Sequence, residues 1–156
     1  MNTTHTATAT PVRIAANYTV TKHLGNWTTA REFQVRAHRG HAVLDLRSPH
    51  IEDGEIRVDC ELDHAMLKLL VPDGAVVDDW DLQRQGRGRI KDAEGRKAAG
   101  GRRIVLTGQL RHGEIRVHRG GIAQLSAMFS REYLADLRRA HAERGYPTVD
   151  DPARTA

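Results

Sequence analysis

The sequence predicts an all-β protein, a right-handed β-helix-like solenoid of about four to five coils with a C-terminal amphipathic helix as its cap; a β-sandwich of the same strands is the second architecture it allows. Three observations carry this expectation. Residues 33–46, 56–69 and 104–117 align without a gap, and in each a histidine precedes a small residue and an aliphatic alternation. The starts lie 23 and 48 residues apart, so the second spacing leaves room for one degenerate copy of a stacked β-repeat. Beyond Gly121 the apolar period changes from two to three and four, which is the spacing of a helix.

Residues 1–11 are rich in Thr and Ala, close on Pro11 and read as a disordered tail, with too few apolar side chains to offset chain entropy. The repeat domain spans 12–121. It opens with an extended segment from Val12 to Val20 and a Gly25-Asn26 turn. In the first half of each unit every second residue is apolar or small: Phe33, Val35, Ala37; then Ile56, Val58, Cys60, Leu62; then Ile104, Leu106, Gly108, Leu110. After the histidine the parity slips by one, and the inward set becomes Ala42, Leu44, Leu46; Ala65, Leu67, Leu69; Gly113, Ile115, Val117. A one-residue slip exchanges the two faces, so each unit is two short strands around a corner.

Arg47-Ser-Pro-His50 and Val71-Pro-Asp-Gly-Ala75 supply the turns between units. The degenerate copy runs from Val76 through Trp80 and Leu82 to Ile90, and 91–101 reads as a flexible loop. Residues 122–145 form the helical cap. Ser130 caps and Gly145 ends a helix over 131–144, and 146–156 is tail.

A chain of 156 residues fits one domain. Its only cysteine, Cys60, has no partner for an internal disulfide, and is expected in the core. Neither a secretory signal nor a membrane-spanning run is present, so the expected location is the cytoplasm. The net charge of +4 is concentrated: residues 84–103 hold eight basic side chains against two acidic ones, a local net of +6. Such asymmetry points to a partner more directly than the overall balance does.

Two sets of residues could do chemistry. His41, His64 and His112 hold one place in the aligned units and could present imidazoles to a metal ion, although a corner histidine that simply faces water explains the spacing as well. Arg84, Arg87, Arg89 and Lys91 could meet an acidic partner, but no aromatic residue accompanies them for base stacking, which argues against nucleic acid. The sequence contains no His-Glu-x-x-His, Cys-x-x-Cys, phosphate-binding loop or Gly-x-Ser-x-Gly, and Asp45, Asp59 and Asp63 fall on outward or corner positions expected to be solvated. No catalytic residue, cofactor or resident metal is expected.

Gly25-Asn-Trp27, Leu44-Asp-Leu-Arg47, Val71-Pro72 and Gly113-Glu-Ile-Arg-Val117 together resemble the LiaF-like domain of cell wall-active antibiotics response proteins, over about 23–121. The Phe-Gly-Gly corners of that family are replaced here by Arg39-Gly-His41, Leu62-Asp-His64 and Leu110-Arg-His112. The resemblance implies a non-enzymatic regulatory module acting by protein contact in bacterial envelope-stress signalling, and it identifies no catalytic residue. The expected partner is a protein, with a signalling protein or the inner membrane surface as candidates. The alternative is polyanion or nucleic-acid binding through the 84–103 loop.

Overall fold

Apolar residues at every second position favour strands with one buried face. The computed structural model describes residues 10–92, 101–128, 130–143, 145 and 147–153, and builds these strands in pairs around corners. β1 (Val12–Asn17) leads into β2 (Val20–His23), β3 (Glu32–His38) into β4 (His41–Asp45), and β5 (Glu55–Asp63) into β6 (Met66–Val71). Three short strands follow, β7 (Val76–Asp78), β8 (Leu82–Gln85) and β9 (Arg89–Asp92), and then the pair β10 (Arg103–Arg111) and β11 (Glu114–Arg119). Two helices close the described chain, α1 (Gly120–Met128) and α2 (Arg131–Ala142). The expected N-terminal tail and flexible loop fall largely on 1–9 and 93–100, outside the described residues.

A six-stranded sheet has the order β1-β3-β5-β10-β7, with β8 also on β10, and a five-stranded sheet has the order β2-β4-β6-β11-β9. All of these pairings are parallel. The inward side chains of both sheets meet in one core that includes Phe33, Val58, Leu106, Leu44, Leu67 and Ile115. Equivalent residues lie side by side: Leu67 is in register with Ala42 and Ile115, and Leu69 with Leu44 and Val117. Cys60 is buried in this core, as its inward parity requires.

The predicted all-β, right-handed β-helix-like solenoid is not what forms. Among the described residues the chain is mixed α/β, two parallel-strand sheets with two helices, and no closed solenoid is found. A solenoid lays its coils down in chain order. Here β10 lies between β5 and the earlier β7 and β8, and β11 lies between β6 and the earlier β9. The reason is length and polarity. β10 is nine residues long and rich in Ile, Val and Leu, so it gains most from strands on both sides, whereas β7, β8 and β9 are short, half-polar and suited to an edge.

The first aligned unit is also displaced by two residues. Ile56 faces Ile104, as the alignment has it, but Phe33 faces Val58 and His41 faces Met66. A shift of two preserves the alternation, so the apolar pattern carries no information against it.

α1 does not cover an open end of the sheets. Ala123 and Ala127 of α1 pack on Leu70, with Leu24, Val43 and Val149 around them, so α1 lies on the outer face of the five-stranded sheet. The segment read as tail returns to the start of the fold. Asp136 accepts the amides of Thr148 and Val149, Asn26 donates to the Pro152 carbonyl (3.1 Å), and Arg47 donates to the Val149 carbonyl (2.9 Å). Asp45, expected to be solvated, is 0% exposed and accepts from Gly25 N (2.9 Å) and from Arg47 Nε and Nη2. The Leu44-Asp-Leu-Arg47 stretch is thus a buried ion-pair joint.

Candidate functional site

Each turn that carries the chain from the six-stranded sheet into the other has one residue in left-handed backbone. Tyr18 (φ 54°), Arg39, His64 and His112 (φ 48° each) supply it, and Gly86 does so at φ 62° after β8. Histidine tolerates this region better than most side chains. The corners hydrogen-bond in a column, with His64 N donating to the Arg111 carbonyl (2.9 Å), Arg39 N to the Asp63 carbonyl (3.0 Å) and His112 N to the Gln85 carbonyl (3.2 Å). Arg39, and not His41, is therefore the counterpart of His64 and His112.

Because β10 lies directly beside β5, the His64 and His112 rings stack with centroids 4.9 Å apart and planes 25° apart. On the other side of His112 lies Gly86, where a side-chain carbon would come within 2.0 Å of His112 Cε1. Arg87 N donates to His112 Nδ1 (3.4 Å), which places the proton of the neutral ring on Nε2. The Asp63 carboxylate bridges His64 Nδ1 (2.7 Å) and His38 Nδ1 (3.2 Å). The hydrogen bond from His64, followed by the charges of both imidazoles, holds that carboxyl below its usual range.

His41, His64, His112, Arg87, Arg89 and Glu114 line an open cleft of about 730 Å³ beside this column. The structure therefore brings together five of the seven singled-out residues. Arg84 is elsewhere, paired with Asp79 (3.3 Å), and Lys91 reaches Glu114 (3.3 Å) from the outer face of the sheet. Glu114 also receives Arg116 (2.9 Å) and Arg89 (3.5 Å). The Arg116 hydrogen bond is the chief cause that lowers its carboxyl to about 2, with Lys91 contributing.

The three histidines do not aim their ring nitrogens at one point. In-plane lone pairs of two stacked rings run parallel to each other, and His41 sits two residues beyond the corner, in register with Met66. Among the described residues, no group of three His, Cys, Asp or Glu side chains could hold a metal ion. The Cys60 thiol is buried and pushed up to about 12, which removes it as a nucleophile.

Reading the sequence missed a row of side chains on the outer face of the five-stranded sheet: Lys22, Val43, Lys68, Arg116 and Lys91, one from each strand in continuous register. The signal was the shared outward position in each repeat, hidden because the attention-drawing charge lay in 84–103. No helix among the described residues is long and apolar enough to cross a membrane. Comparison with protein-family profiles, with curated proteins and with solved structures returned no match.

Proposed function

We propose that this chain is a non-enzymatic interaction module of the cytoplasm that takes an acidic segment of a partner protein into the histidine and arginine cleft. The observation that carries this reading is the shared lining of the cleft. Arg87 and three imidazoles stand there beside one carboxylate, Glu114, that is already shared by three cations, Arg89 of the cleft together with Lys91 and Arg116. An acidic segment would meet complementary charge there, which raises association rate and sets partner choice. Among the described residues no Ser, Thr or Cys lines the cleft to act as a nucleophile, which supports binding over catalysis. Nor does any described Phe, Tyr or Trp line it as a stacking platform, which favours a protein over single-stranded nucleic acid. The resemblance to the LiaF-like domain supplies the setting, envelope-stress signalling through protein contact.

A labelled Glu/Asp-rich peptide and a single-stranded oligonucleotide of equal charge test the proposal by fluorescence anisotropy. The peptide is expected to bind with an affinity that falls as salt rises, and Arg87→Ala with Arg89→Ala should weaken it about tenfold or more. Tighter binding of the oligonucleotide would transfer the site to the polyanion alternative. Peptide affinity unchanged in the double variant would remove the cleft from the function.

A further inference from the structure

The parallel register of the five-stranded sheet gathers cations that are far apart in the chain. Lys22 of β2, Lys68 of β6, Arg116 of β11 and Lys91 of β9 project from one row across its outer face, with Val43 of β4 between the first two. Neighbouring strands are about 4.8 Å apart, so Lys68 and Arg116 are adjacent. Arg116 and Lys91 have Glu114 as a counter-charge. Among the described residues no ion pair joins Lys22 or Lys68 to a carboxylate.

Where α1 lies over this face it leaves a pocket of about 170 Å³, lined by Lys22, Lys68, Ser126 and Ser130 over an apolar floor that includes Val43 and Leu70. Ser130 is committed to the helix, since its hydroxyl donates to the Ala127 carbonyl and accepts from Tyr133 N. Ser126 is not committed in this way: its oxygen accepts from Lys68 Nζ at 3.4 Å, and its proton can still be donated. Burial first, and then the charges of Arg116 and Lys22, lower the Lys68 ammonium from its ordinary value. Like charges crowded in a half-buried pocket are unfavourable until an anion joins them.

We propose that this pocket binds a tetrahedral oxyanion, a phosphate or phosphate monoester, between the Lys22 and Lys68 ammonium groups with the Ser126 hydroxyl as a further donor. Its volume is well below the ~300–1,000 Å³ of pockets that enclose drug-sized ligands. A single phosphoryl group on a short stem fits it; a whole nucleotide does not. The site is separate from the cleft, so Arg87→Ala with Arg89→Ala leaves it intact.

Thermal unfolding and calorimetric titration of the full chain with sodium phosphate, against sodium chloride at matched ionic strength, provide the test. Phosphate should raise Tm to a saturating limit beyond the chloride control, and Lys68→Gln and Lys22→Gln should each weaken binding about tenfold or more. Lys68→Gln should melt at or above the unsubstituted chain when phosphate is absent, because it removes a crowded charge; this separates lost binding from lost folding. Sedimentation with phosphatidylcholine vesicles, with and without phosphatidic acid, identifies the source. Pelleting that needs phosphatidic acid and Lys68 assigns a lipid headgroup, and phosphate stabilisation without pelleting assigns a soluble phosphate. No phosphate-specific stabilisation and no pelleting, or responses unchanged in both variants, would overturn the site.

Discussion

Gly108 lies within β10 at φ 90°, and a side-chain carbon there would come within 2.0 Å of the Cys60 carbonyl oxygen on the neighbouring strand. Gly86 also has positive φ, but its obstacle is the ring of His112, which can rotate away. The two substitutions should therefore differ. Gly108→Ala is expected to cost about 3 kcal/mol or more, since main chain must move. Gly86→Ala should cost about 1–2 kcal/mol, the penalty of left-handed backbone. Urea unfolding of the two variants checks the order, and equal costs would contradict the close approach of β5 and β10. Alternation marked Gly108 as an inward small residue; only the neighbouring strand shows that its missing side chain is what lets the backbones meet.

At the scale of one strand, β11 shows how parallel register builds electrostatics. Glu114 lies beside Met66 and Arg89, and Arg116 beside Lys68 and Lys91, so one carboxylate comes within reach of cations from its own strand and from β9. Its carboxyl is lowered from an ordinary 4.5 to about 2. The sign follows from the unfolded chain binding the extra proton first: the contribution is fully present above about 4.5 and is lost as pH falls toward about 2. Urea midpoints across that window should decline, and Glu114→Gln should flatten the decline; an unchanged slope would remove the ion cluster from the account. The basic character of 84–103 was legible, as were the corner histidines His64 and His112, whereas the first corner falls at Arg39 and not at the aligned His41. The row through Lys22, Lys68 and Arg116 was not, because the lysines and arginine of that row are isolated in sequence and gathered only by pairing.

For the molecule as a whole, Arg47 joins the first part of the chain to the last. Its guanidinium holds the buried Asp45 carboxylate and the carbonyls of Val149 and Asp150, while Val149 packs against the cluster of Leu70, Ala123 and Ala127. Arg47→Ala leaves Asp45 buried without its counter-charge and releases the C-terminal segment. The expected loss is about 3–5 kcal/mol, with faster hydrogen exchange at Thr148 and Val149. A loss within about 0.5 kcal/mol, the range of ordinary surface changes, would mean that the joint is dispensable.

By itself the sequence determined which side chains face inward, that each unit turns a corner and that β5 and β10 are equivalent, because these depend on a period of two within short segments. Tertiary structure alone decided that β10 lies between β5 and β7, that the first unit sits two residues from its aligned place, and that α1 covers a sheet face. The physical reason is that alternation is unchanged by a two-residue shift and says nothing about which equivalent strand is the neighbour. Strand length, edge polarity and burial across both sheets make that choice.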